Sequence, residues 1–354
     1  MNTNKKIKII CEEAYADSIW CKQLLSGLTK ELKKRRIGYE QVSHADSLEC
    51  EDSICIIGLS DIWTGHIIEK CNATGVVPVV LSSQSRRNLD GQYHLICPDM
   101  HGAVRALKEA FMHAGRMKIA LYAANRVVDL DRDRTEVFSE LVQDTSDIYS
   151  NKDSLENCFR SFLPKASLYD AVICVNGYAA VSLVKKLEKE NKHLLEQLAI
   201  VTFEEVLKHS KYNRWISLVD LNLEAYGAVA MTVLEVLTQR SAVSAVTVEM
   251  KCQVCDLPEK SLENKFDEEG ATVVRLFEDP EMIYMARIEQ LMQDADDMDH
   301  HIIAMLLSNA KYSEIADTCY MTEGNVKYRV KKYMNICGCN TKKELLELLK
   351  EYLQ

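Results

Sequence analysis

From Ile7 to Gln239 short apolar runs alternate with stretches of helical periodicity, and this alternation restricts the fold more than any other feature of the chain. Ile7–Cys11, Ile54–Leu59, Val76–Leu81, Tyr93–Cys97, Lys118–Tyr122, Ala171–Val175 and Ala199–Phe203 read as strands. Helical patterns fall between them at about 18–35, 63–72, 102–114, 179–190 and 223–239. A strand that is apolar along its whole length is covered on both faces, and successive parallel strands need a crossover that a helix supplies. The expected fold class is therefore α/β, with two parallel sheets in two lobes. No glycine-rich phosphate loop follows any of these strands, which favours a sensor over a nucleotide enzyme.

The chain changes character after this region. Leu257–Gly270 is charged and carries Pro258, as an exit from the lobes would. Asp279 and Pro280 then mark a helix start, with Tyr284, Ile288, Leu291 and Ala295 as its apolar stripe. From Asp296 onward four short helices are expected. Asp296 caps the first, with Asp299 in the capping-box position, and Asn309 suits a left-handed stop. The second spans Tyr312–Cys319, Thr322 caps the third, and Thr341 with Glu344 opens the fourth.

The third of these helices is two-faced. Val326, Val330, Tyr333 and Met334 share one side, whereas Lys327, Tyr328, Lys331 and Lys332 sweep the other with Arg329 on the flank. Six Lys or Arg and no Asp or Glu lie between Asn325 and Lys343. An apolar back, a basic front and a short preceding helix describe a recognition helix for the DNA major groove, although a small bundle with a solvated basic face has the same pattern.

The segment also resembles the LuxR-type C-terminal helix-turn-helix. Glu314, Ile315 and Ala316 match that family's E-I-A, and Thr322 to Lys327 match its S-x-x-T-V-K with Asn325 in place of Thr. Cys337, Gly338 and Cys339 fall on its L-G-V, while Ile336 replaces a Lys. The resemblance implies base-edge contacts from Lys327, Tyr328 and Lys331, and backbone contacts from Thr322, Asn325, Arg329 and Lys332.

Composition limits where nucleic acid could bind. The net charge is −10, so attraction to phosphates has to be local to the basic helix. Thirteen cysteines scattered through apolar runs read as buried thiols in a reducing cytoplasm. Cys252 and Cys255 form a C-x-x-C without a second pair or a nearby His cluster, so neither a metal nor another cofactor is expected. No signal peptide or membrane span is legible. The nine dispersed histidines fit no catalytic or metal spacing, and no enzyme is expected.

A second resemblance covers the lobes. CPDMHGAVRALKEAFMHAGRMKIALY is similar to the crossover into the second lobe of LacI-type effector domains, which are periplasmic-binding-protein-like. DLDRDRTEVF resembles the family's R-x-R-x-x-G-F, placing Arg132 and Arg134 on its arginines. AVICVNGYAA resembles its strand-to-helix turn, with Asn176 on the Asn, and IVTFEE its V-x-G-F-D-D, with Glu204 on the first Asp. The resemblance implies an effector cleft with Arg134, Asn176 and Glu204 as polar contacts. Tyr15, Trp63 or Tyr178 could cover an apolar ring face, as in sugar sites, although each of these residues also has an ordinary structural reading. The N-terminal DNA reader of that family would have no room before Ile7.

The chain is thus expected to be a cytoplasmic transcriptional regulator and a homodimer, binding an operator and a small sugar-like effector. The sensor would span 1–257, with one lobe at about 1–99 and 221–243 and the other at about 100–220 and 244–257. A linker and connecting helix would follow at 258–295, then the head at 296–354. One alternative is a sensor that binds no small molecule and serves dimerisation or protein contact. A degenerate phospho-receiver fits less well, because the strand Ile54–Ile57 ends in Gly58 where its Asp should stand.

Overall fold

The apolar runs pair into two six-stranded sheets in the computed structural model, which describes residues 6–42, 53–85, 89–126, 128–142, 144–203, 206–207, 210–239, 243–254, 257 and 279–353. The first sheet holds β1 (Ile7–Cys11), β2 (Tyr39–Gln41), β3 (Ser53–Ile57), β4 (Val79–Leu81), β5 (His94–Pro98) and β11 (Thr247–Met250), all parallel, in the order β11-β5-β4-β3-β1-β2. The second holds β6 (Ile119–Ala124), β7 (Ile148–Ser150), β8 (Ala171–Cys174), β9 (Ala199–Thr202), β10 (Ile216–Asp220) and β12 (Gln253–Val254), in the order β12-β10-β9-β8-β6-β7. Among the described residues only β12 runs antiparallel to its neighbour, β10.

Strand alternation sends side chains to two layers in the first lobe. Ile7, Ile9, Cys55, Ile57 and Val79 share the core layer of α1 (Ile19–Lys34), while Ile10, Ile54, Ile56 and Val80 share that of α2 (Asp61–Ala73) on the other face. α8 (Tyr226–Gln239) lies beside α1. Their approach is close because Gly27 and Gly227 face each other: a Cβ at Gly227 would fall 2.3 Å from the Gly27 carbonyl carbon. The second sheet is flanked by α3 (Met100–His113), α4 (Asp129–Phe138), α5 (Leu155–Phe162), α6 (Gly177–Glu190) and α7 (Lys192–Gln197). Side-chain caps fix several starts: Asp99 accepts from Gly102 N–H at 2.7 Å, and Asn176 from Ala179 N–H at 2.9 Å.

The chain passes between lobes three times, after β5, after β10 and between β11 and β12. The last crossing differs from the sequence expectation, which placed 244–250 in the second lobe. β11 pairs with β5 in the first, so the crossing falls at 251–252. An edge strand that is half exposed carries no apolar run to announce its lobe.

Five helices complete the chain: α9 (Pro280–Asp294), α10 (Asp297–Leu307), α11 (Tyr312–Thr318), α12 (Glu323–Cys337) and α13 (Lys342–Leu353). Asp279 caps α9, and Asp296 and Asp299 form a reciprocal capping box on α10. Asn309 takes the left-handed conformation at φ 62° that ends α10. Ile302, Ile303, Leu306, Ile315, Val326, Val330, Tyr333, Leu345 and Leu349 are buried in this head. α9 differs from its expected stripe: Met282, Met285, Ile288 and Leu291 are buried and Tyr284 is exposed. It is covered on two sides, by α6 of the second lobe and by α12 of the head. Among the described residues no helix is long and apolar enough to cross a membrane.

Candidate functional site

The strand ends of both lobes converge on one cleft. After β1 the loop and start of α1 bring Tyr15 and Trp20, and after β3 comes Leu59. From the second lobe come Leu130 and Asp131 after β6, and Asn176 and Tyr178 after β8. They surround a cavity of about 290 Å³, which is closed on a further side by Ile283, Arg287, Glu289 and Gln290 of α9. Open α/β sheets place ligands at the carboxyl ends of their strands, and this cavity lies there.

Polar groups here are already organised. Glu12 is buried and its carboxylate accepts from Leu59 N–H at 2.7 Å, Ser60 N–H at 3.0 Å and the Ser60 hydroxyl, so it ties the β1 and β3 loops together. Asn176 donates to Asp131 at 3.1 Å while capping α6. Burial first, then the carboxylates of Glu12, Asp129 and Asp131, push the Tyr15 hydroxyl above the usual tyrosine value. The lobes are also bridged directly: Arg132, paired with Asp129 of its own helix at 2.6 Å, reaches Asp61 at 3.3 Å, and Ser85 N–H donates to Asp133 at 2.9 Å.

Tyr15 and Asn176 therefore meet on the cavity wall, together with Tyr178. Arg134 does not line it. Its side chain is fully buried, donates to the Val175 carbonyl at 2.9 Å and lies 5.3 Å from the Phe203 ring centre, so it serves the core of the second lobe. Trp63 does not line it either, because its ring packs over Gly58 beside the α2 layer. Glu204 lies outside the described residues. Trp20, Asp131 and the α9 residues were missed by sequence reading. Asp131 sits in a run whose resemblance rests on its arginines, and nothing local in α9 announces a partner so far away in sequence.

The head presents a second surface. α11 and α12 are joined by a four-residue turn in which Tyr320 adopts φ 51° and is 98% exposed. On α12, Val326, Val330, Tyr333 and Cys337 face inward, with Cys337 rather than Met334 completing the buried side. Lys327, Tyr328, Lys331 and Lys332 are exposed, and Tyr328 stands 74% clear of the surface. Thr322 caps α12 by accepting from Asn325 N–H at 3.2 Å. Lys327 pairs with Glu323 at 3.0 Å. Arg329 turns away from this face: its guanidinium pairs with Asp296 at 3.1 Å and with Asp299 at 2.5 Å. That pairing also lifts the Arg329 value.

No family model and no curated protein matches the chain. Solved structures do. A complex titled transcriptional regulator CelR with cellobiose superposes with a TM-score of 0.55 at 12% identity, covering 72% of this chain and 85% of that one. A LacI family transcriptional regulator CCPA from Weissella paramesenteroides with bound sucrose gives 0.54 at 13% identity, over 72% and 98%. A LacI family transcriptional regulator from Enterococcus faecium with bound ribose gives 0.54 at 14% identity, over 73% and 99%. At this identity the likeness is one of fold: two parallel-rich lobes of the kind found in LacI-type effector domains.

Proposed function

We propose that the chain is a DNA-binding transcriptional regulator whose two-lobed unit takes up a small polar effector and whose C-terminal head, of LuxR type, reads an operator. The observation that carries this reading is α12: a fully buried apolar side, and an exposed opposite side bearing Lys327, Tyr328, Lys331 and Lys332, behind a short helix and turn. In a major groove Lys327, Tyr328 and Lys331 would address base edges. Thr322, Asn325 and Lys332 would hold the backbone. Arg329 is committed to Asp296 and Asp299 and is assigned to the head's own stability.

A sugar-like effector suits the cleft. Asp131, Asn176, Glu289 and Gln290 offer planar polar groups, and Tyr15, Trp20 and Tyr178 offer ring faces. The cellobiose, sucrose and ribose bound by the fold neighbours agree with that class. Two copies of the chain related by a two-fold axis would set two recognition helices on successive turns of DNA.

Enrichment of duplexes from a random pool by the full-length chain tests the DNA reading; recovery of no common sequence refutes it. A thermal-shift panel of sugars tests the effector reading. A true effector at about 100 times its Kd stabilises the folded state by roughly 2.7 kcal/mol. A panel without a shift favours the second reading, a sensor retained for dimerisation or protein contact.

A further inference from the structure

The helix between lobes and head is more than a connection. At its far end Gln293 accepts from Lys22 on α1 of the first lobe at 3.1 Å. In its middle, Glu289 accepts from the Tyr178 hydroxyl at 3.0 Å and from Leu207 N–H at 3.2 Å, both of the second lobe, and is itself 7% exposed. At its start, Glu281 accepts from Ser182 at 3.1 Å and Lys185 at 3.3 Å, and pairs with Lys186. One helix thus straps both lobes across the cleft. Its opposite side lies on α12, and Arg287 joins the two surfaces: it lines the cavity, and its guanidinium covers Gly338, where a Cβ would fall 2.2 Å from Nη1. Gly338 is the left-handed C-cap of the helix that bears the basic face.

We infer that α9 is the third wall of the effector site, with Arg287 and Gln290 as effector-contacting residues, so that filling the cavity and seating the head on the lobes are a single event. This rests on the proposed effector reading for its ligand, but not for its geometry. The cavity is complete only while α9 is seated, so an effector held by all three walls favours the seated state. By reciprocity, anything that lifts the head weakens the effector by the same factor. The Lys185 ammonium belongs to the same seat, because it also reaches Glu351 at 2.8 Å and the Tyr352 hydroxyl at 2.8 Å on α13.

Trp20 reports on the wall opposite α9. In the full-length chain with Trp63→Phe and Trp215→Phe, acrylamide quenching of Trp20 fluorescence is compared for the parent, Glu289→Lys and Lys185→Glu. The expected result is a several-fold rise in the quenching constant in both variants with unchanged far-ultraviolet dichroism. Should Glu289→Lys fail to fold, Lys185→Glu carries the comparison, since it removes only the outer anchor. Quenching equal to the parent's overturns the strap. Cellobiose, sucrose and ribose are then titrated into the same chain. A sugar that shields Trp20, and whose Kd rises about tenfold in Gln290→Ala as loss of one good polar contact requires, supports α9 as a wall. A sugar bound equally well by Gln290→Ala and Arg287→Ala overturns it. If none of the three shields Trp20, the sugar reading fails while the quenching comparison still decides the strap.

Discussion

Asp299 is where the head is most exposed to a single change. Its side chain is 3% exposed. One carboxylate oxygen accepts from Arg329 and Tyr333, and the other accepts from Asp296 N–H at 3.3 Å in the capping box. Asp299→Asn keeps one oxygen acceptor but loses the charge, and it turns an amide donor toward the Asp296 N–H. A hydrogen bond to a charged group contributes about 1.5–3 kcal/mol against about 1 kcal/mol for a neutral one. The Arg329 side chain is 30% exposed, which puts its share at the lower end of that range. With the damaged cap, worth about 1 kcal/mol, the expected loss is roughly 2–3 kcal/mol. Hydrogen exchange of α10 and α12 amides in the full-length chain reads this locally, as exchange about 30- to 150-fold faster at 1.4 kcal/mol per decade. The acid response follows from the same network. Burial raises the Asp299 value, but the bonds from Tyr333, Arg329 and Asp296 outweigh it and leave it below the ordinary carboxylate value. A carboxylate depressed in the folded state contributes stability above its unfolded value and loses it as pH falls through the folded one. The parent head should therefore loosen below about pH 4, and Asp299→Asn should lack that step. Exchange rates in α12 within about threefold of the parent would refute the reasoning, because the effect would then be under 0.7 kcal/mol.

Three further outcomes are expected. Gly227→Ala drives a methyl into the backbone of Gly27 and should cost about 3 kcal/mol, at the upper end for overpacking because backbone cannot move aside cheaply; urea unfolding measures it. Arg134→Ala should destabilise the second lobe by about 2–4 kcal/mol through a lost buried bond and a cavity beside Phe203. A thermal melt checks this, and an unchanged melt with lost effector binding would return Arg134 to the cleft. Thr322→Ala removes the cap of α12 and should speed exchange in its first turn by about 1 kcal/mol.

Much of this architecture was legible because its signals are local. Buried parallel strands appear as apolar runs, and caps such as Ser18, Asp279, Asp296 and Thr322 sit at their helix starts. The three-residue strands β2 and β7 were not legible, since so short a segment has no period to read. Of the cleft residues, Asn176 could be placed by resemblance, and Tyr15 and Tyr178 as aromatics that follow strands. Arg134 could not be placed on pattern, because Leu130 on the cavity wall and the core-bound Arg134 lie one turn apart on the same helix. On α9, Met282 and Met285 are buried instead of Tyr284 because two partners, α6 and α12, cover it from different sides. A single apolar stripe describes a helix with one partner.

The most direct measurement is fluorescence anisotropy of the duplex selected by the full-length chain, titrated with the parent, Lys331→Ala and Tyr328→Ala. If α12 reads DNA, each variant loses about 1–3 kcal/mol of specific binding, and removal of a phosphate-contacting cation such as Lys332 also lowers the salt slope by about one. Folding and effector binding should stay as in the parent, because these side chains are exposed and remote from the cleft. Equal affinity of all the variants for the selected duplex would contradict the assignment of this face to DNA, and with it the reading of the chain as a regulator.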